Sequence, residues 1–587
     1  MRHRSAAPIA RRLLILIGWV MCGGFAGSAT SADPPAERFV HTSGPIRFVV
    51  TDAGLSEVHV GDKQVARGEW RARNTTALFQ LGEDHIRFGP IADRSMRVVA
   101  DDHVRVEHVY EHAAVRYDYL FDGEDVSIRA RVSNRSARHA IEAMGFEGLR
   151  FDWASPPRGI MPVMHAASAI RQEHGVGAMH PGNLTRLGGT WAAGAGFGVG
   201  TSPAGPTLEQ TLTMWDYTDW TPPQLAAEQG RPTRGQLPSR RLEFFARGQV
   251  PPLGARTFSF TLRVSTDTDW KHLLQPYKDW FRATLGPVRY KPTHRPWVMV
   301  SADKSPQFIT PDNPYGYHDG HRRLDTTVGA RQFCRTIPPL IREVHGQGAL
   351  IWGQQGSEPR GAEYRPDFDV LPPPTRRNWP VLQRCMSEGG YRLGVTARPG
   401  AMAVRESWKK DRLVDTVPTE PTHVQDLVKR FENMIELGCT AFYLDSFGNR
   451  YEHVLMMRQL REHLPDHVQT FAEMHCDAMM PYSGFYLHIT YDGEGEADLS
   501  GLEIMWLGKG LWPVFRWLVD GEISVAGRVD DRVYERVEPG LLYRWMLPRR
   551  ITPLEQYARF PEAAAALHEL LPRYLDEDGQ WIEQPQP

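Results

Sequence analysis

The 587-residue chain has almost no net charge. Its 68 Lys and Arg against 70 Asp and Glu leave −2 with His neutral. That balance gives no electrostatic footprint for nucleic acid or for a strongly charged partner. Cysteine is scarce, five residues in all, and no two form a Cys-x-x-Cys pair. This excludes the short metal and redox motifs that use that spacing. There is no Gly-x-Ser-x-Gly elbow, no phosphate loop and no dinucleotide fingerprint. Serine-elbow hydrolysis, nucleotide-phosphate chemistry and dinucleotide-dependent redox therefore lose their usual sequence support. No internal repeat or low-complexity segment is visible.

What is present is ordinary for a globular protein, 41% hydrophobic and 24% charged residues. The length exceeds one ordinary core, so two or three domains are expected. Residues 1–32 read as an export signal. Arg2, Arg4, Arg11 and Arg12 form the basic end, Leu13 to Val20 begin the apolar stretch, and small residues lead to cleavage near Ala32. Arg11-Arg12 also permits a twin-arginine reading. The apolar stretch is short for a spanning helix, so no stable membrane insertion is expected after cleavage. The expected location is periplasmic or secreted. Disulfides are permitted there, but a chain of this size does not need them. Cys334, Cys385, Cys439 and Cys476 are therefore expected as isolated buried thiols.

Residues 38–268 read as a β-rich domain. Val104 and Val106, then Val126, Ile128, Ala130 and Val132, then Phe258, Phe260, Leu262 and Val264 alternate at period two. Many short strands with alternating faces predict an antiparallel β-sandwich. A helical linker follows over 269–291, with Leu273, Tyr277, Trp280 and Phe281 at helical spacing. After Pro292 the periodicity changes. Near-continuous apolar strands centred at 298, 350, 393, 443 and 470 alternate with helical segments, which predicts a parallel sheet and a (β/α)8 barrel over 292–580. The segments 485–490, 502–506 and 523–526 are further strand candidates, and 561–571 a closing helix. Residues 331–345 predict a helix that Pro338-Pro339 must break or kink. Thr422 is the expected cap of an amphipathic helix bearing Val424, Leu427, Val428, Phe431, Met434 and Ile435, with Gly438 stopping it.

Two strands end in one carboxylate each. Phe442-Tyr443-Leu444-Asp445 is followed by the turn Ser446-Phe447-Gly448-Asn449, and Phe471-Ala472-Glu473 repeats the pattern 28 positions later. Residues 451–464 between them read as a helix. Catalytic residues of such barrels come from the carboxyl tips of the strands. Adjacent strands would place the two acids within roughly 5–6 Å, the spacing of a retaining rather than an inverting glycosidase. Asp445 would be the nucleophile and Glu473 the acid/base, its carboxyl pushed upward by burial near aromatics such as Phe471. The competing reading is that each acid merely caps the following helix.

Other tip residues are candidate substrate contacts: Asp303, Trp352, Gln354, Arg398 and Asp492. Asp303 and Arg398 lead, because charge at a strand tip is costly unless paired or used. Glu494 and Glu503 lie nearby in sequence. Trp215, Tyr217 and Trp220 offer a sugar platform or a packed loop. His318 and His321 invite a metal reading, but no ligand set supports it, and neither a metal nor a cofactor is expected.

The sandwich followed by a barrel, the Tyr-Leu-Asp strand and the Glu on the next strand resemble the retaining α-glycoside hydrolases with a mutarotase-like sandwich. The endo-α-N-acetylgalactosaminidase family is the nearest resemblance, with the α-galactosidase clan beside it. The resemblance implies Asp445 as nucleophile, Glu473 as acid/base and an α-galactoside or α-N-acetylgalactosaminide as substrate. The partner would be an oligosaccharide, polysaccharide or glycoconjugate. In the α-galactosidase clan the acid comes from a later strand, which here implies Asp492 or Glu503. Leu444 and Ser446 depart from the family motif. Two alternatives remain: a catalytically silent carbohydrate-binding protein, and a sugar lyase or epimerase with His475 or Tyr482 as base.

Overall fold

The computed structural model describes residues 38–74, 88–153, 189–205, 211–216, 240–291, 297–302, 309–317, 323–343, 346–355, 367–403, 413–445, 447–448, 451–472, 477–487, 517–520 and 525–527. Its first half contains the strands β1 (Phe39–Ser43), β2 (Ile46–Thr51), β3 (Gly54–Val60), β4 (Lys63–Asn74), β5 (Ile91–Ala100), β6 (His103–Tyr110) and β7 (Ala113–Asp122). They continue with β8 (Asp125–Asn134), β9 (Ile141–Phe151), β10 (Thr190–Gly194), β11 (Phe197–Pro203), β12 (Thr211–Asp216), β13 (Arg240–Val250) and β14 (Ala255–Ser265). These form two seven-stranded sheets, ordered β1-β2-β3-β4-β9-β13-β12 and β10-β11-β14-β8-β7-β6-β5. Among the described residues every pairing within them is antiparallel.

One apolar core joins the two sheets, so they form a β-sandwich. Ile46, Phe48, Trp70 and Phe244 enter it from one sheet, and Val104, Val106, Ile128, Phe258 and Phe260 from the other. The period-two pattern is the cause. On β8 Val126, Ile128, Ala130 and Val132 are buried, whereas Arg129 and Arg131 between them are exposed. Burying each large aliphatic contributes roughly 1.5–3 kcal/mol. A one-residue slip would forfeit the whole row, which fixes the register.

Helix α1 (Trp270–Leu285) lies within the segment expected to be helical. The Asp269 side chain accepts from the Lys271 N–H at 3.1 Å, capping its first turn. Leu273, Leu274, Tyr277 and Phe281 are its buried stripe.

Among the described residues of the second half lies a seven-stranded sheet in the order β15-β16-β17-β20-β21-β22-β23. Its strands are β15 (Trp297–Ser301), β16 (Gly348–Trp352), β17 (Arg392–Ala397), β20 (Cys439–Leu444), β21 (Gln469–Ala472), β22 (Gly484–Leu487) and β23 (Val525–Gly527). All neighbours are parallel. The helices between them are α2 (Thr327–Glu343), α3 (Pro373–Glu388), α4 (Pro421–Glu436) and α5 (Tyr451–Arg461). A small antiparallel hairpin, β18 (Ala401–Ala403) with β19 (Leu413–Asp415), follows β17. Strands β15 and β23, at the two ends of this order, approach within 8 Å between Cα atoms.

Three local expectations are corrected. Helix α2 runs through Pro338 and Pro339 without interruption. Ala330, Phe333, Ile337 and Ile341 anchor it to the core on both sides of the prolines, and that packing outweighs two missing backbone donors. It also starts earlier than expected, because Thr326 Oγ1 accepts from the Gly329 N–H at 3.0 Å. Thr422 does not cap α4. Glu420 is the cap residue and Pro421 holds the first helical position. Lastly, Cys334 and Cys385 are not isolated thiols but a disulfide, with Cα atoms 5.7 Å apart. They sit on α2 and α3, the helices that follow successive parallel strands and so lie side by side. Cys439 is a buried free thiol. The segments 502–506 and 561–571, Cys476, and the proposed signal lie outside the described residues.

Candidate active site

Alternate residues of the parallel strands separate onto two faces. Val300, Ile351, Val395, Phe442 and Ala472 enter the core shared with the helices. Trp297, Leu350, Ala441, Tyr443 and Phe471 form a second cluster, with Trp352 packed against it. This second face is crowded. A Cβ on Gly394 would lie 2.6 Å from Leu350 Cδ2 and 2.7 Å from the Ala441 carbonyl oxygen, so only glycine fits between β16 and β20.

Asp445 stands immediately beyond β20. Its N–H donates to the Ala397 carbonyl at 2.8 Å, extending the ladder between β17 and β20 by one residue. The residue is 7% exposed. Arg398, the first residue after β17, brings its Nε to 3.6 Å from Asp445 Oδ2. That is an ion pair rather than a close hydrogen bond. The cation offsets part of the cost of burying the carboxylate. Arg398 is about a third exposed, at 32% of its side chain. The pair therefore has one open side.

Trp352 at the end of β16 leans on Tyr443, ring centroids 5.3 Å apart at 35°. Gln354 is fully buried. Its amide nitrogen donates to the carbonyls of Phe368 at 3.2 Å and Thr396 at 2.9 Å. Its backbone carbonyl accepts from Tyr317 Oη at 2.6 Å. Gln354 thus ties the β16 tip to β17, and its Oε1 meets no hydrogen-bond partner among the described residues. Of the residues singled out in the sequence, the structure brings Asp445 and Arg398 into contact. It places Trp352 and Gln354 at the same end of the sheet. Asp303, Glu473, Asp492, Glu494, Glu503, His318, His321 and His475 lie outside the described residues, as do Tyr217 and Trp220.

Tyr482 is at the other end. It precedes β22, and its hydroxyl donates to the Leu285 carbonyl at the end of α1 at 3.2 Å. Burial pushes its pKa up, which further disqualifies it as a base for chemistry at the Asp445 tip. Sequence reading missed Tyr317 and His453. Tyr317 braces the Gln354 loop, and His453 accepts from the Gly448 N–H at 3.0 Å in the turn after Asp445. The signal for His453 was its place in the first turn of the helix following a candidate nucleophile. Among the described residues no group of three or more His, Cys, Asp or Glu is placed to hold a metal ion. No described helix is long and apolar enough to cross a membrane.

No family profile and no curated relative matches the chain. Solved structures do. The chain is similar to the α-N-acetylgalactosaminidase NagBb from Bifidobacterium bifidum in its GalNAc complex, at TM-score 0.55 and 13% identity, covering 90% of this chain and 93% of that one. The ligand-free form of the same enzyme gives TM-score 0.53 at 12% identity, with 90% and 93% covered. A family-31 glycoside hydrolase, a sulfoquinovosidase from E. rectale, aligns at TM-score 0.45 and 10% identity over 90% and 82% of the two chains. The likeness to the Bifidobacterium enzyme is one of fold, and it spans both the sandwich and the parallel sheet.

Proposed function

We propose that this protein is a retaining α-glycoside hydrolase working at the carboxyl end of a closed (β/α)8 barrel. The observation that carries the reading is Asp445, a buried carboxylate at a strand tip, paired with Arg398 on the neighbouring strand. Ligands and catalytic groups of such sheets gather at that end. The approach of β15 and β23, and the apolar cluster on the face away from the helices, support closure into a barrel. Leu444 pairs with Ala472 across β20 and β21. In this reading that register continues by one position and sets Asp445 opposite Glu473. Neighbouring strands are about 4.8 Å apart, which supports the carboxyl separation of roughly 5–5.5 Å that retention requires.

In this reading Asp445 attacks the anomeric carbon while Glu473 gives its proton to the departing oxygen. Glu473 then takes a proton from water, which attacks the glycosyl ester and frees Asp445. Trp352 supplies a ring face for the sugar. Asp303, Arg398 and Asp492 grip hydroxyls, whereas Gln354, expected from the sequence as a substrate contact, is fully buried and braces the tip instead. The fold shared with an α-N-acetylgalactosaminidase supports testing α-linked GalNAc and galactose first. The substrate would be an oligosaccharide, polysaccharide or glycoconjugate. Export through the basic and apolar N-terminal segment is part of the proposal, and a disulfide between α2 and α3 suits an oxidising compartment.

The test is release of nitrophenol from α-N-acetylgalactosaminide, α-galactoside and α-glucoside by the purified protein beside Asp445→Ala. Release by the wild type alone supports the reading and names the sugar. Equal release by both proteins would remove Asp445 from the chemistry.

A further inference from the structure

We propose that His453 is a positioning residue that fixes the turn carrying Asp445; the catalytic half of this claim rests on the function proposed above. After Asp445 the chain reaches Phe447 and Gly448 and then enters α5. Gly448 has φ +123°, a conformation that side-chain-bearing residues avoid. Its N–H points at His453 Nδ1, 3.0 Å away. The His453 ring also stacks on Phe447, with centroids 4.3 Å apart and planes 21° from parallel. Phe447 is fully buried and His453 is 8% exposed. One ring therefore fixes both the direction and the depth of the turn.

The same ring reaches the neighbouring strand tip. A Cβ built on Gly400 would stand 3.2 Å from His453 Nε2 and 3.7 Å from Phe447 Cδ2. The ring therefore lies close against the backbone just beyond Arg398. The Gly400 carbonyl accepts from the Thr416 N–H at 3.1 Å, which ties this segment to the end of the β18–β19 hairpin. His453 thus touches the loop that bears Asp445 and the loop that bears Arg398. Because Nδ1 accepts, the neutral ring carries its proton on Nε2. An aliphatic side chain at 453 would leave the Gly448 N–H without its acceptor in a buried place. The turn would relax, and Asp445 with it. A shift of about 1 Å in a reacting group can cost 10²-fold in rate, whereas binding by the other tip residues need not change.

The experiment compares wild type, His453→Leu and His453→Asn. Asparagine presents an acceptor oxygen near the position of Nδ1; leucine does not. Two readouts are taken. The first is kcat and KM on whichever nitrophenyl glycoside the wild type cleaves. The second is hydrogen–deuterium exchange of the peptide spanning 445–453 in the full chain, which needs no substrate. His453→Leu is expected to lower kcat by roughly 10- to 100-fold with little change in KM, and to speed exchange in that peptide. His453→Asn is expected to recover most of both. A leucine variant with wild-type kcat and exchange would overturn the proposal. So would an asparagine variant as damaged as the leucine one. If the wild type cleaves nothing, the glycosidase reading fails by itself and the exchange arm alone decides whether His453 holds the turn. If His453→Leu does not fold, the comparison of His453→Asn with Phe447→Leu decides it. Near-normal turnover in the former and loss in the latter is expected, and the reverse order overturns the claim.

Discussion

Removing Arg398 should take the cation away from a buried carboxylate, and the size of the effect can be worked from the geometry. At 3.6 Å and an effective dielectric of about 20, the attraction is about 4–5 kcal/mol before screening. A fully exposed pair delivers only about 0.2–1 kcal/mol. Breaking a fully buried one costs about 3–5 kcal/mol. Here one partner is buried and the other is a third open. The expected coupling therefore lies between these limits, about 2 kcal/mol. The clean measure is a double-mutant cycle on stability with Arg398→Met, Asp445→Asn and the double variant, since the cycle isolates the pairwise term. Arg398→Met alone should destabilise, because it removes the cation that faces the buried carboxylate. In the Asp445→Asn background the same change should cost much less. Thermal and denaturant unfolding of the four proteins reads this directly. Additivity within about 0.3–0.5 kcal/mol would refute the reasoning, and the pair would then be a contact without consequence.

Three further outcomes are expected. The Cys334–Cys385 bond spans 51 residues, so on the chain-entropy account Cys334→Ser with Cys385→Ser costs roughly 4 kcal/mol; an unchanged melting temperature in oxidising buffer would contradict it. Gly394→Ala forces a methyl group against Leu350 and the β20 backbone and should destabilise by about 1–3 kcal/mol, read as a lower melting temperature with sandwich strands unaffected by exchange. His108 donates Nε2–H to the Asp52 carbonyl at 2.8 Å, while its Nδ1 meets no partner among the described residues. Burial pushes its pKa down. The unfolded chain then binds the extra proton more readily, so this share of stability is present above the ordinary histidine value of 6.5 and is lost as pH falls below it. His108→Gln should flatten the fall in melting temperature between pH 7 and 5, and an unchanged slope would contradict the assignment.

Legibility in the sequence followed the length scale of the signal. Period-two rows such as Val126 to Val132 announced their strands, because one buried face dictates every second residue. The order of the parallel strands was legible for a similar reason. Each short apolar run was buried on both faces, and each was followed by a helical stripe. Asp445 stood out because a charge ends a run that tolerates none. The failures were those of tertiary context. Pro338 and Pro339 signalled a break, but Phe333 and Ile341 hold the helix from either side. The disulfide joins residues that sequence separates by 51 positions, although two successive βα units would have placed their helices together. Gln354 looked like a free tip residue, yet two backbone carbonyls claim its nitrogen. His453 carried only a positional hint, since the turn it holds exists only once Gly448 adopts its left-handed backbone.

The central claim is that Asp445 forms a bond to sugar carbon. The most direct measurement is peptide mass mapping of the wild-type protein after brief exposure to a slow, activated fluorinated α-glycosyl fluoride of the sugar it cleaves. The account predicts a single adduct of glycosyl mass on the peptide containing Asp445, absent from Asp445→Ala and lost on standing as water completes turnover. Turnover with an adduct on a different carboxylate, or a product released with inverted configuration and no adduct, would contradict it.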